Sequence, residues 1–296
     1  MIKTLYNDLN SFKERMKKKS KKSFREYIIK KANQYHLKAE VYPKSKWAKN
    51  IVIGDIKTAK VIIGAHYDTP PRLPSFLANH LILFNILLGV FIIGLPFILS
   101  GVVPSSWVLP SFYSVIGLLF AYLLGFIAFP NKHNANDNTS GVLSVLTLAF
   151  FYPRDDVAYV LFDNEEKGLI GSISLSRALR GMHKKVIILD CVGRGEHYCF
   201  YHYKKPHFAE SVMRSFMQID DAAFSTSLNR GGYLMTSDHL SFQAHDHVGI
   251  LCFIKHKKKK KMRNIHSHLD KTINFDNIQY ICDGINNYLE EQYGNN

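Results

Sequence analysis

Between Leu73 and Asn131 the chain carries no Asp, Glu, Lys or Arg. The stretch holds two apolar runs, Leu81–Val103 and Trp107–Phe129, each of 23 residues. A helix of about 20 residues crosses the ~30 Å of a bilayer's hydrocarbon. Pro104-Ser105-Ser106 separates the runs as a turn signal. The pattern predicts an inserted two-helix transmembrane hairpin over residues 76–129. Two helices buried in a soluble core are the alternative, although such cores rarely keep this length free of charge. Asn79, His80 and Asn85 blur the start of the first span.

Charge outside that stretch is uneven. The chain has 296 residues and a formal net charge of +14, and residues 1–60 alone hold 17 Lys and Arg against 5 acidic residues. Within it, Leu5, Leu9, Phe12, Met16, Phe24, Tyr27 and Ile28 repeat at helical spacing. Residues 1–36 therefore read as a basic amphipathic segment, broken near Ser20–Ser23. No continuous apolar segment follows it as a signal peptide requires. The excess of cations before and after the hairpin puts both flanks in the cytoplasm by the positive-inside rule. A membrane protein of two spans with a cytoplasmic catalytic domain is expected, with anionic lipid as a partner for its basic segments. Four cysteines without a CxxC pair read as free thiols in a reducing compartment. The basic runs Lys17–Lys22 and Lys255–Arg263 lack interleaved aromatics or a recognisable module, so nucleic acid is not expected as a partner.

The rest alternates strands and helices. Asn50–Ile53, Lys60–Ala65, Val157–Phe162, Lys185–Val192, His197–Tyr203 and His247–Ile254 read as strands. Ile170–Leu179, His207–Met217 and Phe275–Tyr288 read as helices. This alternation predicts an α/β fold, a three-layer α/β/α sandwich on a mostly parallel mixed sheet, formed by residues 37–75 and 130–296. In such sheets the site lies beyond the carboxyl ends of the strands, and polar clusters stand there. His66-Tyr67-Asp68 suits a metal ligand with an orienting carboxylate, or a surface turn. Asp137, before a helix starting near Thr139, suits a ligand or a plain N-cap. Glu165-Glu166 follows Phe162 closely and suits a base beside a ligand, or a solvated acidic turn. Asp190 closes an apolar strand, where an unpaired carboxylate is costly. His266 opens a further cluster.

In chain order these clusters resemble the co-catalytic zinc aminopeptidases of metallopeptidase family 28. The family's elements H-x-D, D-N-x-S-G, E-E-x-G-x-x-G-S, a strand-end Asp, S-D-H-x-x-F and H-[ST]-x-x-D stand here as His66–Asp68, Asp137–Gly141, Glu165–Ser172, Asp190, Ser237–Phe242 and His266–Asp270. The resemblance implies two zinc ions, other divalent metals being possible. His66 and Asp190 would hold one, Glu166 and His266 the other, with Asp137 bridging. It implies Glu165 as general base, Asp68 as the group orienting His66, and Gly168 and Gly171 as turn residues. Asp238 and His239 match the S-D-H element. The implied activity is removal of N-terminal residues from peptides by a membrane-anchored enzyme. A glutaminyl-cyclase-like aminoacyltransferase with a single zinc is the alternative within the fold, and a non-catalytic membrane scaffold the alternative outside it. The family normally has a short loop where this chain inserts its uncharged stretch.

Overall fold

The computed structural model describes residues 1–43, 45–75, 104–231, 237–256 and 259–294, with isolated positions between 76 and 103. Nine strands form one mixed sheet: β1 (Ala39–Val41), β2 (Ile51–Ile53), β3 (Val61–His66), β4 (Val157–Phe162), β5 (Lys185–Leu189), β6 (His197–His202), β7 (Ser225–Arg230), β8 (Asp246–His256) and β9 (Lys259–Lys261). Their order is β1-β2-β4-β3-β5-β8-β6-β7, with β9 against β8. The centre is parallel: β3 pairs in parallel with β4 and β5, and β5 with β8. β2 joins β4 antiparallel, and β6 joins β8 antiparallel.

Near-continuous apolar strands are expected where both faces of a parallel sheet are covered, and here the strict alternation of side chains feeds two cores. Ile51, Ile63, Leu161, Ile187 and Ile250 turn to the larger one, with the helices α1 (Ile2–Asn10), α2 (Lys18–Gln34), α4 (Gly141–Phe151), α6 (His207–Met217) and α7 (Phe275–Tyr293). Val52, Ile62, Val160, Val186 and Ile188 turn to the smaller one, with Leu175 of α5 (Ile170–Ala178), Leu179 and Phe242. The expected α/β sandwich, helices on both faces of a mixed sheet, is present, but the sheet is not mostly parallel: four pairings are parallel and four antiparallel, the latter where β1, β2, β6 and β9 join the parallel centre.

Two further expectations change. The N-terminal segment is no separate unit: Leu5, Leu9, Phe24, Ile28 and Ala32 are all buried in the larger core. Its break lies between Asn10 and Lys18, and α2 runs unbroken through Ser20–Ser23. In the connection between the two helices the Glu14 carboxylate accepts the N–H groups of Met16 and Lys17, both at 2.7 Å, turning the chain just before α2 begins.

The transmembrane hairpin is not supported. Its second run forms the helix α3 (Ser105–Ala128), with Pro110 inside it. Among the described residues no helix is long and apolar enough to cross a membrane. The first run, Leu81–Val103, falls outside the described residues except at isolated positions. The stretch leaves and rejoins the sandwich along one seam, where the Arg72 N–H donates to the Phe129 carbonyl at 2.7 Å and the Asn131 N–H to the Pro70 carbonyl at 2.9 Å.

Candidate metal centre

The carboxyl ends of β3, β4 and β5 deliver three of the polar clusters to one spot. His66 is the last residue of β3, Asp163 follows β4 and Asp190 follows β5. Parallel pairing in register puts His66 opposite Phe162, so the β3 ligand and the Glu165-Glu166 turn emerge side by side. Asp137 comes from the distorted helical turn Ala135–Ser140 that leads into α4, and His266 from the loop before α7.

The five residues converge. His66 Nε2 lies 3.3 Å from Asp137 Oδ1 and 3.7 Å from Asp190 Oδ1. His266 Nε2 lies 2.9 Å from Asp137 Oδ2 and 3.7 Å from Glu166 Oε2. Asp137 therefore turns one carboxylate oxygen to each histidine, with Asp190 on one side and Glu166 on the other. Donor atoms of His66, Asp137 and Glu166 all lie within 4.8 Å of one another. Glu166 Oε1 is buried without a hydrogen-bond partner, and an orphaned carboxylate oxygen among imidazoles is what a bound cation would satisfy. Nitrogen and carboxylate donors of this kind fit zinc.

The electrostatics reflect the crowding. Burial pushes Glu165 well above the usual carboxylate range, against the pull of His66, with Glu166 and Asp238 adding to the rise. Burial likewise pushes Glu166 up to about 8, opposed by His266. For His266 burial favours the neutral ring, yet Glu166 and Asp137 raise it to about 10. Burial acts against ionised Asp137, but the two histidines hold it well below the ordinary range. The carboxylates repel one another, and the two histidine rings between them carry the positive charge that offsets this, a part a bound cation would take over.

The loops are held rigidly. The Asp68 carboxylate does not chiefly orient His66, as expected, for its oxygens accept the N–H groups of Glu165 at 3.0 Å and Glu166 at 3.3 Å. His66 Nδ1 instead donates to the Asp68 backbone carbonyl at 3.2 Å, with the carboxylate at 3.7 Å. One residue thus fixes both the histidine and the glutamate pair. Asp270 does the same for the bridge, accepting the N–H groups of Asn136 and Asp137, both at 2.9 Å. Asn136 Oδ1 accepts from Gly193 at 2.9 Å, and the Asn138 side chain donates to the Leu189 carbonyl at 2.9 Å, tying the bridge to the Asp190 loop. Gly168 has φ +100° and supplies the turn after the glutamates. Gly171 serves differently: a Cβ there would run into the Asp163 backbone. Asn164, Cys191 and His266, each next to or at a candidate ligand, have φ of +59°, +53° and +59°. Non-glycine residues in this region are held at some cost, and such cost concentrates at functional sites.

Three contributors escape a motif reading, and Asp238 of the S-D-H element has surroundings that the motif does not specify. Asp238 is fully buried with neither carboxylate oxygen partnered, and burial, against His66, pushes it up to about 7. The Cys191 thiol lies with oxygens of Asp137 and Asp190 inside 4.8 Å. Arg15, only 1% exposed, reaches in from the N-terminal segment. Its guanidinium donates to the Tyr67 carbonyl, to Asn134 Oδ1 at 3.1 Å and to Thr139 Oγ1 at 2.9 Å. Lys21 Nζ meets Asp163 Oδ1 at 2.6 Å and Asn164 Oδ1 at 2.7 Å. The two cations brace all of the loops bearing His66, Asp137 and Glu165-Glu166. Nothing in a run of lysines marks one as buried.

Comparisons with known proteins bear on the family and the fold. Residues 120–283 match the model of peptidase family M28. A comparison with curated protein sequences finds no match. Among solved structures, the chain is similar to glutaminyl cyclase of Porphyromonas gingivalis (TM-score 0.69, 15% identity, 98% of this chain and 97% of that one). It is similar to the LapA aminopeptidase of Legionella pneumophila (TM-score 0.65, 15% identity, 98% and 68%). It also resembles a Zn-dependent exopeptidase of Parabacteroides distasonis (TM-score 0.65, 15% identity, 99% and 96%). At such identities the likeness is one of fold. With a family match over more than half its length and the ligand set gathered at the strand ends, this chain belongs to peptidase family M28.

Proposed function

We propose that the protein is a zinc-dependent exopeptidase, an aminopeptidase that removes N-terminal residues from peptides. The observation that carries the reading is the Asp137 carboxylate, with one oxygen toward His66 and the other toward His266. A carboxylate so placed could serve two cations at once, and His66 with Asp190 would hold one and His266 with Glu166 the other. Zinc bound there would supply a Lewis acid that makes a water nucleophilic near neutral pH and polarises the scissile carbonyl. Glu165 takes the proton of the attacking water on its carboxylate and hands it to the departing amine. Asp68 holds the main chain of Glu165 in place for that transfer, and its backbone carbonyl fixes which nitrogen of His66 faces inward. Asp270 keeps the bridge from swinging away. The charge distribution further motivates a cytoplasmic catalytic domain at an anionic membrane, for which salt-sensitive co-sedimentation with phosphatidylglycerol but not phosphatidylcholine vesicles is expected.

Metal analysis together with a panel of aminoacyl-amide substrates tests the activity. Two zinc ions per chain and release of free amino acids, abolished by chelator, are expected. The likeness to glutaminyl cyclase over nearly the whole of both chains favours a second reading, cyclisation of N-terminal glutamine on a single zinc. One zinc per chain with pyroglutamate as product would select it.

A further inference from the structure

A cavity of about 670 Å³ opens where the uncharged stretch leaves and rejoins the sandwich. Arg72, Lys132, His133 and His268 line it beside Leu73 and Phe129, and no carboxylate does among the described residues. The surroundings are positive as well. His133 is held below the ordinary histidine range, first by burial and then by Lys271, Lys13, Arg72 and His268. Among the described residues neither Arg72 nor Lys132 has a salt-bridge partner. The cavity adjoins the loop that carries His266, whose ring faces Asp137 in the candidate metal centre. The Leu73 N–H donates to the His266 carbonyl at 2.9 Å, and Asn131 Nδ2 donates to the Ser267 carbonyl at 3.0 Å. His266 turns its ring to Asp137, while His268 lies in the cavity wall. Two residues of chain extend at most about 7 Å.

We propose that this cavity receives the free C-terminal carboxylate of a short peptide whose N-terminal residue lies at the metal centre. An Arg guanidinium grips a carboxylate through two parallel hydrogen bonds, and a nearby ammonium adds charge without geometry. Leu73 and Phe129 offer apolar wall to the side chain preceding that carboxylate. Long or C-terminally blocked peptides lose this contact, so the substrates are dipeptides and tripeptides with free acid ends. The substrate class rests on the exopeptidase reading, and the test therefore measures binding without turnover.

Leu-Leu with its peptide bond reduced to CH₂–NH cannot be hydrolysed and can be made as free acid or as C-terminal amide. Calorimetric titration into the zinc-loaded full-length protein should show the acid binding at least about tenfold tighter. In R72Q/K132Q the two forms should bind within about twofold of each other. A merely structural role for these residues would weaken both forms alike and leave their ratio standing. Equal affinity in the unaltered protein, or an unchanged ratio in the variant, overturns the proposal. So does loss of the acid preference on adding phosphatidylglycerol vesicles but not phosphatidylcholine vesicles, which would assign the cavity to lipid headgroups. Failure of the exopeptidase reading shows separately, as absence of amino-acid release from Leu-Leu itself.

Discussion

Glu165 illustrates how much one side chain carries at this site. Its neighbours raise it well above the ordinary carboxylate range, and a cation beside it would restore the ionised form that a base requires. Glu165→Gln keeps the size and a hydrogen-bonding head but cannot accept the proton. The expected result is a fall in kcat of about 10²–10⁴-fold with metal content intact, read by steady-state kinetics alongside metal analysis. A Gln variant with normal turnover would remove Glu165 from the mechanism. Arg15 acts one layer out, on neutral acceptors that flank the ligands. Lysine cannot reproduce its fork of donors. Partners behind metal ligands typically carry about 10–100-fold in metal affinity, so R15K should weaken zinc binding by about that factor in competition with a chromophoric chelator. Unchanged affinity would reduce Arg15 to a packing residue.

At the scale of elements, α2 is the surprise. Its lysines suit a solvated or lipid-facing surface, yet Lys21 and Asp163 form a buried ion pair with side chains 6% and 5% exposed. Removing one member of such a pair leaves the other charge buried without compensation, at a cost of about 3–5 kcal/mol. K21M should therefore lower the urea-unfolding free energy by about that amount. Asp163→Asn in the same chain should recover part of it, because the amide leaves no bare charge. A double variant less stable than K21M would argue that Asp163 matters mainly through its bond from the Lys49 N–H. The consequence for function is direct, since Asp163 and Asn164 precede Glu165 with no slack between. The N-terminal helix α2 is a brace on the turn that carries Glu165 and Glu166.

For the molecule as a whole, the metal centre joins β3, β4, β5, the entry to α4 and the loop before α7, which are far apart in the chain. A cation bound only in the folded state stabilises it by mass action, about 2.7 kcal/mol at a hundredfold excess over Kd. Chelation should lower Tm, and zinc should restore it in a concentration-dependent way in thermal scans. A Tm indifferent to chelator would mean that the carboxylate cluster is satisfied without a cation. By itself the sequence determined the strands and helices of the sandwich, because apolar period and turn residues are local. Val157–Phe162 and His207–Met217 coincide with β4 and α6 to the residue. It also singled out the candidate ligands that the structure gathers at one spot, because six short elements in a fixed order resemble a family's motifs whatever joins them. Ser225–Arg230, polar and short, became β7 only by pairing with β6. Asp68 contacts the backbone of a turn about a hundred residues away, Asp270 holds the bridge, and Arg15 and Lys21 lie buried while Lys17, Lys18, Lys19 and Lys22 beside them stay in water. Those roles depend on which neighbour occupies the space beside each side chain, and tertiary packing alone decides that. Burial turns a cation from a solvated surface charge into a brace, and burial is a property of the fold.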